Sequence, residues 1–207
     1  WFAKMYRASE TGVVPADELR DAQSIMTEEQ YNQEFECSFT AAVSGSYYGK
    51  LITKADNEKR IGSIPVEEHV GVETWWDLGI GDSTAIWFVQ RVGEEIHVID
   101  YYENSGESLA HYADVLEDKN YAYERHIAPH DIQARELGTG KSRLEVAQEL
   151  GIDFEVAPKL EVDHGIESVR NALPHCWFDR EKCKLGLDAL RQYRKQWDDK
   201  NQVFKNK

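Results

Sequence analysis
Alternation of apolar and polar side chains is sharpest in the middle of this 207-residue chain. Thr74 to Leu78 is a short apolar run ending in DLGIGDS. Thr84 to Val92 alternates with β-branched and aromatic residues, and Glu95 to Tyr102 does the same after a Gly93-Glu94 turn. Period-two patterning marks half-buried strands, and the tight turns between these runs predict an antiparallel meander of three strands. The period then changes. Leu109, Tyr112, Ala113 and Leu116 recur three and four apart and predict a helix over 105–119. A brief strand at 126–128, a helix at 142–150 stopped by Gly151, a strand at 154–157 and helices near 162–173 and 185–198 follow. The order β-β-β-α-β-α-β-α-α, with a hairpin first and crossover helices later, predicts an α/β fold with a mixed sheet flanked by helices.

The earlier part of the chain is less regular. Residues 15–35 carry two helical signals separated near Ser24 to Thr27, and Thr27 and Gln30 of TEEQ fit a capping box. From Cys37 to Pro65, Gly45, Gly49 and Gly62 interrupt the pattern, with Tyr47 and Tyr48 as anchors, so this stretch reads as a connecting arm. The organisation expected is an N-terminal helical and linker arm over 1–65 and a main domain over 66–207.

Composition narrows the class. Hydrophobic residues make up 41% and include six Trp, enough for a continuous core. No apolar run is long enough to cross a bilayer and no signal sequence is recognisable, so a cytoplasmic protein with no membrane partner is expected. Cys37, Cys176 and Cys183 are too few and too scattered for a disulfide framework. His175 with Cys176 and Cys183 has neither the spacing nor the fourth ligand of a zinc site. The chain begins at Trp1 and ends in mid-pattern at NQVFKNK, and is expected to be a piece of a longer protein. A net charge of −14 argues against coating nucleic acid with a basic surface. It is compatible with a nuclease whose cations face the DNA.

Two features compete within APHDIQARELGTGKSR, residues 128–143. GTGKS resembles a nucleotide-binding loop, but that loop needs a glycine five positions before Gly140, where Arg135 stands. A loop closing on a helix with Ser142 as cap and Glu145 three positions on accounts for it better. Asp131 follows a Pro-His pair at the end of a strand, and Asp77 ends the first strand of the meander. If those strands are parallel neighbours, the two carboxylates converge. Converging carboxylates bind hard cations, Mg2+ or Mn2+ rather than Zn2+, and two such ions about 4 Å apart serve phosphodiester hydrolysis. The alternative for each Asp is a turn-forming role.

Three segments in order, TWWDLGIGDSTAIWFVQ, VIDYYENSGESLAHYADVL and HIAPHDIQARELGTGKSRLEVAQELGI, resemble the C-terminal nuclease domain of the large terminase subunit of tailed double-stranded DNA phages. The similarity extends over roughly 30–207, through QEFECSF, GIESVRNALPHCWFD and LRQYRKQWDD. The resemblance implies a ribonuclease H-like fold and an endonuclease that cuts concatemeric double-stranded DNA with two divalent cations. It also implies a separate packaging ATPase domain, portal protein and small terminase subunit as partners, and action in the host cytoplasm outside the mature virion. Asp77 matches the family's first metal ligand, which bridges both ions, and Asp131 matches the second. The third acidic ligand is expected beyond Lys207; Asp198 and Asp199 do not match it.

Other residues carry weaker expectations. Asp82 is first a turn or capping residue beside Thr84 and second an auxiliary metal ligand. Lys141 and Arg143 are candidate contacts to DNA phosphates or parts of a solvated loop, and His130 is a candidate for positioning water or phosphate beside Asp131. Trp75-Trp76 and Trp87-Phe88 read as core rather than as base-stacking platforms. Two rival functions follow from the same features. One is a junction resolvase or transposase-like nuclease; the other is a non-catalytic module that docks on portal or small subunit through its acidic face.

Overall fold
A computed structural model describes residues 6–26, 31, 32, 34–36, 45–79, 83–135, 140–194, 196–198 and 203–205. The chain divides into two compact units, 58–186 and 1–57 together with 187–207. The second of these contains helices α1 (Ala8–Thr11), α2 (Ala16–Ile25) and α3 (Gly49–Asn57). Tyr48 stacks on Tyr193 there, with ring centroids 5.6 Å apart and Tyr47 beside both. The helix at 49–57 lies inside the stretch expected to be irregular: Ile52 and Ala55 form a buried stripe three apart, and Ser46 Oγ accepts from the Gly49 amide at its start.

The 58–186 unit is built on seven strands: β1 (Ile61–Gly62), β2 (Val72–Asp77), β3 (Ser83–Val92), β4 (Glu95–Ser105), β5 (Tyr123–Ala128), β6 (Phe154–Val156) and β7 (Cys176–Asp179). Their order in the sheet is β1-β7-β4-β3-β2-β5-β6. β2, β3 and β4 form the expected antiparallel meander. β5 adds in parallel to β2, β6 to β5, β7 to β4 and β1 to β7. The result is the mixed sheet that the element order predicts, in the ribonuclease H-like form that the resemblance implies. The patterning does not announce β1 or β7. Both are too short to show alternation; they pair because Phe178 donates to the Arg60 carbonyl and Arg180 to that of Gly62.

The connecting helices are α4 (Leu109–Lys119), α5 (Arg143–Glu149) and α6 (Val162–Ala172); α7 (Lys184–Gln192) then leads out of the unit. A short antiparallel pair, β8 (Gln196–Asp198) and β9 (Val203–Lys205), takes the place of the last turns of the helix expected to reach 198. Ends are chemically marked. Asn120 closes α4 in the left-handed conformation at φ 50°, and Gly151 after α5 sits at φ 81°, where a side chain is strained. The expected capping box at Ser142 is present: Ser142 Oγ accepts from the Glu145 amide, and the Glu145 carboxylate accepts from the Ser142 amide. The other expected box, at Thr27, lies outside the described residues.

Even-numbered residues of β2 face one side of the sheet, where Val72 and Trp76 join Ile86, Phe88, Ile99, Tyr112, Leu116, Ile132 and Ala147 in the main core. Of the aromatic pairs, Trp76 and Phe88 are buried as expected, whereas Trp75 and Trp87 are half-buried on the opposite face. There α7 approaches so closely that a Cβ on Gly186 would lie 2.3 Å from Trp87. The indole is held by Tyr101, whose ring centroid is 4.4 Å away, so it has little room to yield.

Gly165 and Gly186, within α6 and α7, should therefore respond in opposite ways. Gly186→Ala is expected to lower stability by about 1–3 kcal/mol through overpacking. Gly165→Ala, with no neighbour within 4 Å of the added carbon, should raise it by about 1 kcal/mol. Urea unfolding of both variants measures the difference, and equal midpoints would count against this packing.

Candidate metal centre
The site is set by one strand pair. β2 and β5 run parallel with Thr74 opposite His126 and Trp75 opposite Ile127, so their carboxyl ends emerge side by side. β2 finishes on Asp77. β5 finishes on Ala128, and Pro129, which cannot extend the ladder, is followed by a tight 3-10 turn over His130–Gln133. That turn carries Asp131 and is fixed from below by Ile132, which is fully buried. The open end of adjacent parallel strands is where α/β folds place their ligands.

Electrostatics record the convergence. Asp77 is exposed as a residue, yet its carboxyl holds its proton more tightly than an ordinary aspartate. Partial burial is the larger cause, and the negative charge of Asp131 adds to it. Two carboxylates that repel across a partly desolvated gap form a donor set for a hard cation. Among the described residues no three His, Cys, Asp or Glu side chains are grouped to hold a metal ion. Asp77 and Asp131 stand as a pair of carboxylates, and Asp82 lies outside the described residues.

Cross-strand register adds a residue that sequence reasoning missed. Asp77 pairs with Ala85 and Ala85 with Glu103, so the three side chains form one row on the face opposite the main core. Tyr101, on that face, donates its hydroxyl to Glu103 at 2.5 Å. Burial and this hydrogen bond, with the nearby charges of Glu103 and Asp77, push the Tyr101 phenol well above its usual range, so it remains a donor. The ENS following YY in the sequence hides this, because it reads as the beginning of a turn.

The remaining candidates separate. Lys141 is exposed and ion-paired with Glu149, eight residues away along α5. Arg143 opens α5 and lines a cleft of about 280 Å³ with Gly79, Thr84, Glu107, Ser108 and Tyr112. His130 is exposed in the 3-10 turn. Arg135 donates to the Gly140 carbonyl at 2.9 Å and forms a bridge with Ser142. GTGKS is therefore the closure of a loop onto a capped helix, with Gly138 and Thr139 outside the described residues. Cys176 and Cys183 are buried thiols, each pushed up to about 12 first by burial, and they donate to the Ala172 and Val98 carbonyls. That chemistry is wrong for zinc.

No family model matches the chain, and no curated protein matches it. Solved structures do. The large terminase of a thermophilic bacteriophage, in complex with ATP-gamma-S, aligns over 73% of this chain at 16% identity with a TM-score of 0.57. The P22 large terminase nuclease domain aligns over 72% of this chain and 81% of its own, at 15% identity and TM-score 0.53. The nuclease of the large terminase from thermophilic phage G20c, solved with bound magnesium, aligns over 79% of this chain and 88% of its own, at 15% identity and TM-score 0.51. The fold is that of the phage large terminase nuclease domains. This chain spans 38% of the ATP-gamma-S-bound large terminase, against most of the isolated P22 and G20c nuclease domains. Among the described residues no helix is long and apolar enough to cross a membrane.

Repulsion at this end of the terminase-type sheet has a thermodynamic signature. A carboxyl whose pKa is higher folded than unfolded binds its proton more tightly in the folded state. The metal-free protein therefore loses stability as pH rises from the ordinary aspartate range through the raised value, and regains it on acidification. Asp77→Asn is expected to raise the melting temperature of the metal-free protein at pH 7, with the advantage shrinking as pH falls through that window. A lower melting temperature for the variant at pH 7 would contradict the repulsion.

Proposed function
We propose that this chain is the nuclease domain of a viral DNA-packaging terminase and hydrolyses phosphodiester bonds of concatemeric double-stranded DNA. The observation that supports this reading is the approach of Asp77 and Asp131 at the ends of two adjacent parallel strands, within a fold like that of the P22 large terminase nuclease domain. In this reading Asp77 and Asp131 would hold the divalent cations through their carboxylate oxygens. The G20c nuclease has been solved with bound cobalt and with bound magnesium, which supports a divalent cation, Mg2+ or Mn2+, here.

Bound there, the cations supply water activation and neutralisation of charge at the phosphate. The chain's own residues do the positioning. Asp77 is fixed by the β2 ladder, and Asp131 by the 3-10 turn over Ile132. The opposed negative charges favour cation entry, because each ion relieves a repulsion already present in the folded protein. No side-chain nucleophile is required. A third carboxylate beyond Lys207, with Asp82 as an auxiliary ligand, belongs to the same proposal. So do a separate ATPase domain, portal and small-subunit partners, and action in the host cytoplasm. Lys141 and Arg143 belong to it as lesser DNA contacts.

The test is nicking of supercoiled plasmid in Mn2+ by a form of the protein continuing through the expected third carboxylate. Asp77→Ala and Asp131→Ala should each reduce the rate by ~10²-fold or more, on the scale of losing one electrostatic stabiliser in a hydrolase. Equal nicking by parent and variants, or none by any of them, would reject the site. Capture of a portal or small-subunit partner without any cleavage would favour a docking module.

A further inference from the structure
The face that carries Asp77 also carries two arginines held by one buried carboxylate. Glu73, two rows along β2 from Asp77 on the same face, has a side chain only 4% exposed. Its Oε1 accepts from Arg91 Nε at 3.0 Å and from Arg125 Nη2 at 2.7 Å, and its Oε2 accepts from Trp75 Nε1 at 2.9 Å. The Arg91 guanidinium lies over the Trp75 ring, 5.7 Å from its centroid. These contacts hold down the carboxylate side of each guanidinium and hold back Glu73 itself: its pKa is lowered despite burial, so the anchor stays charged.

The outward side is open. Arg91 and Arg125 side chains are 53% and 39% exposed. Arg91 uses only Nε on protein; its terminal nitrogens make no hydrogen bond among the described residues. Arg125 meets Glu155 at 3.4 Å, but that partner is 62% exposed, and a pair of this kind contributes little. In a chain of net charge −14, this is a preorganised pair of guanidinium groups beside an indole. Guanidinium forks match phosphate oxygens better than an ammonium does.

We propose that Arg91 and Arg125 form a backbone-binding track for the DNA strand that enters the Asp77–Asp131 site. The proposal rests on the nuclease reading and names how that site holds its substrate. Glu73 and Asp77 are four residues apart on one strand, which at strand rise is roughly 13 Å. The two arginines thus place positive charge where the acidic site needs it: far enough away to leave cation binding undisturbed, close enough to fix the register of the strand. They displace Lys141, already paired to Glu149, as the main phosphate contact.

The test is fluorescence anisotropy of a labelled duplex bound to the 207-residue chain carrying Asp77→Asn, in Ca2+ and over a salt series, beside Arg91→Gln/Arg125→Gln and Arg91→Lys/Arg125→Lys on the same background. The slope of log K against log salt should fall by about two on losing both arginines, since each phosphate contact contributes about 0.9, and the lysine pair should keep most of it. Melting curves verify that the Gln pair is folded; if it is not, the Arg91→Gln single variant, with an expected slope change of about one, decides. An unchanged slope, or no salt-dependent binding by the parent, overturns the track. A changed slope together with no metal-dependent cleavage by the form continuing through the expected third carboxylate keeps the track and removes the nuclease reading instead.

Discussion
The parallel pairing of β2 with β5 is the constraint on which the site depends. Trp75 opposite Ile127 fixes where each strand ends relative to the other, and a slip of one residue would turn Asp77 toward the main core. The register is held from both faces. Val72 and Trp76 are buried on one side, and on the other Glu73 binds Arg125 of the neighbouring strand. Thr74 ties the same strands together: its hydroxyl accepts from Trp76 Nε1 and hydrogen-bonds with His126 Nδ1 at 2.6 Å. Burial keeps His126 below its usual pKa, which favours the uncharged ring.

The two faces of the sheet divide structure from chemistry. The core face is closed by α4 and the turn after β5, and its buried Asp100 is paired: Lys119 and Tyr121 both donate to it. The opposite face presents charge in rows, with Glu73, Arg91 and Arg125 at one end and Asp77, Ala85 and Glu103 at the other. Ala85 between two acidic side chains keeps the second row open, because a methyl group fills none of the space a cation or phosphate needs. Repulsion among the carboxylates costs the metal-free protein stability, and the same repulsion is the proposed source of cation affinity.

Much of this was legible in the sequence, for identifiable reasons. Alternation located the meander, because its strands are each half-buried, period 3.6 located α4, and the stop at Gly151 bounded α5. The Ser142–Glu145 cap was readable because it is a local device. Asp77 and Asp131 could be singled out because each stands where an apolar run stops. What escaped depends on pairing between distant segments. β1 and β7 are two and four residues long and exist through hydrogen bonds to each other and to β4. Glu103 and the Arg91–Glu73–Arg125 cluster become visible only once the register places residues from two or three strands in one row. The charge of Glu73 beside Trp75 reads locally as an exposed strand position, whereas its carboxylate is the buried anchor of two guanidiniums.

The central claim is that the ends of β2 and β5 together make a cation site. Crystals of the protein grown with Mn2+ and measured for anomalous scattering test it most directly. The account predicts an anomalous peak within coordination distance of both the Asp77 and Asp131 carboxylates, and its loss in Asp77→Asn. Manganese bound elsewhere while these two carboxylates face empty solvent would contradict it.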